Sequence, residues 1–380
     1  MMHPILSAVP LSGRGPFVTI DGWALKSNWR HLANLAGGAR TGAAVKADGY
    51  GLGAPLVAKA LFAAGCREFF VAWASEGVQV REALANTNCR IFVLQGMDAE
   101  AAELCRRFRL IPVLSTLDDV RLFAEAGASA LPAPAAIQFE TGMNRLGLDE
   151  ADARKALAIA RQGGFDVALV ISHLASADDP ASAQNEEQRQ SFERLAALFP
   201  HTARSLANSG GVFLGTPFHF DLTRPGIALY GGETRLDPTG ALRPVATLHA
   251  RVLQVHTATR GEAAGYGATA RLDRATRIAT VGIGYADGYP RTASGVTPWR
   301  TEEPAPDMAI AGHRAPVLGR ISMDMTLLDV TDLPEDAVRP GEVAEVFGPT
   351  IPLDEVARRC GTISYELLTQ LGARVQRFAV

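Results

Sequence analysis

The chain has 380 residues, with 37 Lys and Arg against 40 Asp and Glu for a formal charge of -3, and 47% hydrophobic and 20% charged residues. That length exceeds what a single core usually serves, so two domains are expected. The near-neutral balance, without a dense basic run, excludes an electrostatic footprint for nucleic acid and favours small-molecule chemistry.

From about Val18 to Thr223 short β-like runs alternate with longer helical patterns, the grammar of parallel strands joined by crossover helices. Eight strands are expected, at Ala43–Lys46, Phe69–Ala72, Ile91–Leu94, Ile111–Leu114, Ala136–Glu140, Val167–Ser172, Arg204–Ala207 and Phe218–Leu222. Helices are expected at Pro55–Ala64, Ser75–Leu84, Ala99–Phe108, Leu117–Ala126, Asp149–Arg161 and Ala183–Leu198. Eight such units imply a TIM-like (β/α)8 barrel over residues 1–242, with a doubly wound sheet as the alternative. From Arg243 the pattern changes to alternating runs such as Ala250–His256 and Thr276–Gly282, so residues 243–380 are expected to form a β-rich domain. Thr297–Asp307, with three prolines, reads as an exposed loop or insertion. The fold class is therefore α/β followed by β.

Cys66, Cys89, Cys105 and Cys360 are widely spaced and form no Cys-x-x-Cys pair. Reduced thiols in a cytoplasmic protein fit this better than disulfides or zinc. Met1–Pro16 lacks a basic flank followed by an apolar segment, and no run approaches a membrane span, so no membrane association is expected. His219 and His249 have no partners at metal-ligand spacing, and no metal is expected.

In a barrel, functional residues gather just beyond the strand ends. Lys46, Arg145, His173, Asn208, Ser209 and Arg224 all fall there. Lys46 closes an apolar run ahead of Gly49, Tyr50, Gly51 and Gly53; desolvation there would lower its pKa and suit it to Schiff-base formation or proton abstraction. The same lysine could instead be a solvated loop residue. Ser209 with Gly226 and Ile227 could cradle a phosphate after the seventh and eighth strands, or serve as a cap and a turn. Arg224, never deprotonated, could face a pyridine nitrogen and keep it unprotonated, or form a structural ion pair. In the second domain Tyr266 sits between glycines as a possible acid or base, or as a packing residue. Gly319–Asp324 could offer backbone donors to an anion or form a β-turn, and Thr362–Glu366 presents Tyr365. Gly282–Gly288 lacks the spacing of a dinucleotide loop.

Taken in order, Val45-Lys-Ala-Asp-Gly-Tyr-Gly51, Glu140-Thr-Gly-Met-Asn-Arg-Leu-Gly147, Ser172-His-Leu-Ala-Ser176, Asn208-Ser209, Arg224-Pro-Gly-Ile227, Gly265-Tyr-Gly267, Gly284-Tyr-Ala-Asp-Gly288, Gly319-Arg-Ile-Ser-Met-Asp324 and Thr362-Ile-Ser-Tyr365 resemble the alanine racemases, fold-type III enzymes dependent on pyridoxal 5'-phosphate. The resemblance runs from about Val18 to the C-terminus. It implies that Lys46 binds the cofactor covalently and then serves as one base, with Tyr266 from the partner subunit of a homodimer as the other. A racemase needs a base on each face of the planar carbanion. It further implies that Tyr50, Ser209, Gly226, Ile227 and Tyr365 hold the phosphate, with Asn208 also in the cofactor site, that His173 lies against the ring, and that Arg224 bonds its nitrogen. Arg145 and the backbone N–H of Met323 would bind the substrate carboxylate, while Tyr285 and Asp324 would line the approach and limit substrate size.

Two positions depart from the family pattern. Gln138 stands where many members carry a lysine modified to a carbamate, and Glu140 replaces a common aspartate. Gln138 has no charge to orient Arg145, although its amide oxygen could accept from the guanidinium. The expected activity is interconversion of L- and D-alanine. Alternatives are a broader amino-acid racemase of the same fold, a PLP-dependent decarboxylase of a related barrel-plus-β family, and a non-catalytic PLP carrier; the tyrosine loop speaks against the last two.

Overall fold

The computed structural model describes residues 15–85, 87–127, 133–295 and 304–380. Its first strand, β1 (Phe17–Ile20), is buried along its whole length and joins the C-terminal sheet described below. The helix Gly22–Leu35 follows, absent from the sequence-based expectation. Its start signal is Asp21, whose Oδ1 accepts the N–H groups of Trp23 and Ala24 at 2.8 and 2.9 Å.

Two compact units divide the chain, and the first comprises Leu25–Leu229 with Thr234–Leu242. Its strands are β2 (Arg40–Thr41), β3 (Ala43–Ala44), β4 (Glu68–Val71), β5 (Arg90–Val93), β6 (Ile111–Leu114), β7 (Pro134–Gln138), β8 (Asp166–Ile171), β9 (Ala203–Ser205) and β10 (Leu222–Thr223). Among the described residues β3 to β9 form a parallel sheet in chain order, and β10 pairs parallel with β2. The ring closes on both flanks of β10. Asp221 and Arg224 donate to the carbonyls of Arg204 and Ala207 at 3.0 and 2.9 Å, while Gly42 and Ala44 donate to those of Thr223 and Pro225 at 2.9 Å each. Gly42 separates β2 from β3 because the backbone comes too close for a side chain: a Cβ there would lie 2.9 Å from the Phe70 ring and 3.0 Å from the Glu68 carbonyl.

Seven expected strands appear within a few residues of their predicted spans. The eighth does not. Phe218–Leu222 contributes only Leu222 to β10, because Pro217 opens a short 3-10 turn over Thr216–Phe218 and Phe220 adopts φ 51° with its ring edge-on to Phe192 at 5.0 Å. All six expected helices form, with Asp98 and Asp149 capping Ala99–Phe108 and Glu150–Ile159. Between the strands and the helices Phe139 packs against Phe192 and Phe199, with ring centroids 6.2 and 5.6 Å apart. Inside the barrel Phe70 stacks on Phe92 at 4.8 Å. All four cysteines are buried and free. Burial pushes the Cys66 thiol far up and that of Cys105 to about 12.

The second unit holds the described residues up to Ala24, Tyr230–Glu233 and the chain from Arg243. Its strands are β11 (Ala246–Ala258), β12 (Ala263–Ala264), β13 (Ala270–Arg271), β14 (Thr276–Val281), β15 (Asp307–Ile310), β16 (His313–Leu318), β17 (Thr326–Asp329), β18 (Val343–Phe347) and β19 (Gln376–Ala379). Among the described residues an eight-stranded sheet runs β14-β17-β16-β15-β18-β11-β1-β19. β11 alternates buried and half-buried residues as far as Val252, as a sheet with one covered face requires. Against the expected first domain of 1–242, β1 groups with the later strands. Its buried Phe17, Val18 and Ile20 fill the place between β11 and β19, with Phe17 stacked 4.8 Å from His249. Of the expected loop Thr297–Asp307, residues 297–303 lie outside the described residues, and Asp307 already opens β15. Among the described residues no helix is long and apolar enough to cross a membrane.

Candidate active site

β3 ends two residues before Lys46, and the backbone then winds the wrong way. Ala47, Asp48, Gly49 and Tyr50 adopt φ of 53°, 53°, 63° and 55°. A left-handed turn of this kind costs about 1–2 kcal/mol for each non-glycine residue and persists only when its surroundings hold it. Gly49 N–H bonds the Val45 carbonyl at 2.9 Å, Gly51 N–H that of Ala47 at 2.7 Å, and Gly53 N–H that of Asp48 at 2.8 Å. The Asp48 carboxylate accepts from Ala54 N–H at 2.7 Å. Lys46 and Tyr50 are thus presented from the two ends of one rigid turn. Burial lowers the pKa of Lys46, the nearby Arg145 lowers it further, and Glu76 opposes both.

Beyond β7, residues 140–148 form a loop organised by Glu140, whose carboxylate accepts the N–H of Gly142 at 2.5 Å and of Arg145 at 3.3 Å. Burial works against the Glu140 charge, but N–H bonds from this loop outweigh it and hold the carboxyl below its usual range. Gln138 donates its amide nitrogen to the Leu146 carbonyl at 2.9 Å, tying the same loop to its strand. The exposed Arg145 lies on that loop, and its charge is felt at Lys46 and His173.

His173 follows β8 and is driven down to about 3, first by burial and then by the charges of Arg224, Arg145 and Lys46. It is therefore a neutral ring at physiological pH. Its folded pKa lies below the unfolded value of about 6.5, so stability is lost as pH falls through the interval from there to about 3. A His173→Phe variant should lose less stability across that interval than the parent, as urea midpoints measured at several pH values would show.

Arg224 is buried, and among the described residues its bonding partners are neutral oxygens. Nη1 donates to Ser205 Oγ and Nη2 to the Ser172 carbonyl, both at 2.6 Å. Burial brings its pKa to about 10, and it remains charged at neutral pH. Asn208 caps Gly211 N–H at 2.9 Å and holds its amide nitrogen 3.5 Å from His173 Nε2. Ser209 Oγ accepts from Gly226 N–H at 2.8 Å and Ala228 N–H at 3.3 Å. A Cβ on Gly226 would lie 2.2 Å from the Tyr50 hydroxyl. Tyr50, Ser209 and the backbone around Gly226 therefore converge. Gln188, missed in the sequence, underlies this end of the barrel: its buried amide bonds Ala175 N–H at 2.8 Å, the His173 carbonyl at 2.9 Å and Thr141 Oγ1 at 3.2 Å.

In the second unit the hairpin β12–β13 carries Tyr266 near its tip, 68% exposed, between Gly265 and Gly267 at φ 75° and 73°. A Cβ on Gly267 would meet Arg320 Nη1 at 2.9 Å. Tyr285 and Met323 are brought together by backbone bonds, Tyr285 N–H to the Ser322 carbonyl at 3.2 Å and Ala286 N–H to that of Met323 at 3.0 Å. Arg374, also missed in the sequence, clamps this pair of loops by bonding the buried Asp287 at 3.0 Å and Asp324 at 2.9 Å. Tyr365 stands on the short helix Ser364–Thr369 of the same unit.

A family model for the N-terminal domain of alanine racemase matches residues 20–234, and one for the C-terminal domain matches residues 245–379. The chain belongs to the alanine racemase family. It is 46% identical over 366 residues to an alanine racemase of Rhizobium meliloti, covering 95% of each chain, and 44% identical over 368 residues to a biosynthetic alanine racemase of Agrobacterium fabrum, covering 95% of this chain and 92% of that one. Among solved structures, alanine racemase from Bartonella henselae with covalently bound pyridoxal phosphate superposes with a TM-score of 0.88 at 36% identity, over 97% of this chain and 100% of that one. A barrel followed by a β-rich domain is thus the fold of an alanine racemase, as the sequence predicted.

Proposed function

We propose that the chain interconverts L- and D-alanine with pyridoxal 5'-phosphate bound at the mouth of the barrel, as a cytoplasmic homodimer with two shared sites. The observation that carries this reading is the turn from Lys46 to Tyr50. One end bears an amine whose protonated form is disfavoured, and the other brings a hydroxyl to the Ser209 and Gly226 cluster. Those groups fit the cofactor: a nucleophilic amine, hydroxyl and N–H groups for a phosphate, and a buried guanidinium without a carboxylate partner among the described residues. When bound, pyridoxal phosphate supplies an electron sink that acidifies the α C–H of an attached amino acid.

The chain's own residues do the rest. Lys46 Nζ takes the α-proton on one face as an amine and returns it as an ammonium, and Tyr266 of the partner subunit takes it on the other as a phenolate and returns it as a hydroxyl. Tyr50, Ser209, Gly226, Ile227 and Tyr365 bind the phosphate, while Asn208 holds the neutral His173 ring that packs on the cofactor. Arg224 donates toward the ring nitrogen; a guanidinium cannot lend a proton, so that nitrogen stays unprotonated and the sink is tempered. Arg145, with the N–H of Met323, binds the substrate carboxylate. Tyr285 and Asp324 narrow the approach to small side chains, which favours alanine over larger amino acids.

The test is a racemisation assay over a panel of L- and D-amino acids with added pyridoxal phosphate. Alanine should be interconverted fastest, and the protein should be yellow, with a visible band that borohydride removes. Colourless protein that binds no pyridoxal phosphate, or release of carbon dioxide in place of the mirror-image amino acid, would overturn the reading.

A further inference from the structure

We propose that Glu76 is a positioning residue for Lys46: its carboxylate bridges the end of β4 to the first peptide after Lys46 and holds the left-handed turn in register. The inference rests on Lys46 being the cofactor-binding amine.

Glu76 is the third residue of the helix Ala74–Ala83, and a glutamate there ordinarily turns back to cap its own helix. One oxygen does so. Oε2 accepts from Ala72 N–H at 2.7 Å and from Trp73 N–H at 3.2 Å. Capping leaves Oε1 unexplained. That oxygen reaches across to another loop and accepts the N–H of Ala47, 29 positions away, at 2.7 Å.

Ala47 is the second residue of the Lys46–Tyr50 turn and begins its run of positive φ angles, so its N–H has no acceptor within the turn. A charged acceptor strengthens such a bond relative to a neutral one. The carboxylate therefore fixes where the Cα of Lys46 ends and the strained turn begins, and it ties that point to the rim of the neighbouring strand. Its charge has a second effect. The groups acting on Lys46 include Arg145 and Glu76, and His173 in turn feels the Lys46 charge; Glu76 alone among these favours the ammonium form.

Three variants of the holoenzyme test this: Glu76→Ala, Glu76→Gln and Glu76→Asp, with Asp98→Ala as a control. Asp98 caps Ala99–Phe108 by accepting from Ala101 N–H at 2.7 Å, so its loss removes a comparable cap far from Lys46 in sequence. Glutamine keeps a single acceptor oxygen, and aspartate can cap its own helix but falls about one C–C bond short of Ala47. All three Glu76 variants should shed pyridoxal phosphate at least about 10-fold faster on gel filtration, read from the visible band. Their kcat for alanine should fall about 10- to 100-fold, the scale of a misplacement of about 1 Å, with KM changed less than about threefold. In Glu76→Gln the acid limb of kcat should also move to lower pH, because the charge that favours the Lys46 ammonium has gone. Asp98→Ala should match the parent in all three readouts.

If the Glu76 variants lose thermal stability as Asp98→Ala does while cofactor retention, kcat and pH profile stay parental, Glu76 is a cap and the proposal is wrong. Failure of the parent protein itself to show a band or to racemise alanine would instead overturn the functional reading on which the inference rests.

Discussion

Lys46→Ala should yield protein that no longer takes up borohydride-fixed pyridoxal phosphate, and its racemisation of alanine should fall by at least about 10³-fold, since attachment and one base are lost together. A second consequence concerns stability. The folded pKa of Lys46 lies below its unfolded value of about 10.4, chiefly through burial. Below the folded pKa both states carry the proton, and the full cost of the buried ammonium is present. Between the two values the unfolded chain binds the proton and the folded one does not, so stability rises with pH until the cost disappears above about 10.4. A Lys46→Met apoprotein should therefore be more stable than the parent apoprotein at pH 7, with the gap closing as pH approaches 10. Urea midpoints of the two cofactor-free proteins would decide it; a less stable variant at pH 7 would mean that Lys46 is held by contacts stronger than its desolvation.

Tyr266→Phe should keep the visible band and its borohydride sensitivity but lose about 10²- to 10⁴-fold in racemisation, because only the hydroxyl on one face is removed. The ring is 68% exposed in the single chain, so a change in stability beyond about 0.5 kcal/mol is not expected. Parental rates would end the assignment of two bases. Co-expression of Lys46→Ala with Tyr266→Phe adds a test of the shared site. In a mixed dimer one site receives both substitutions and the other neither, so random pairing should restore about a quarter of parental activity. Mixed protein as inactive as either variant alone would place both bases on one subunit.

Much of the site was legible because a barrel puts the ends of successive strands together, so residue type at a strand end carries positional information. Lys46, His173, Asn208, Ser209 and Arg224 were singled out in this way, and the structure places each within a few residues of a strand end; the family motifs added Tyr285. Glu76, Gln188 and Arg374 were not. Each lies in an ordinary-looking segment, and each acts through partners distant in sequence, such as Ala47 for Glu76 and Asp287 for Arg374. Gln138 shows the intermediate case. Its loss of charge could be read directly, but its bond to the Leu146 carbonyl depends on how the 140–148 loop folds back. The same limit explains β1, which was not among the expected strands: its pairing with β11 and β19 joins segments more than 200 residues away.

The sequence by itself determined seven barrel strands with the six helices expected among them, the change from barrel to β-rich grammar, and which reactive side chains stand at strand ends, because periodicity and residue type act locally along the chain. Only the tertiary structure decided that the segment after Lys46 winds left-handed, that His173 is neutral, and that a helix glutamate reaches the Lys46 peptide. Desolvation, charge coupling and the support of a strained backbone are sums over neighbours that chain order does not supply. They come into being when the strands close.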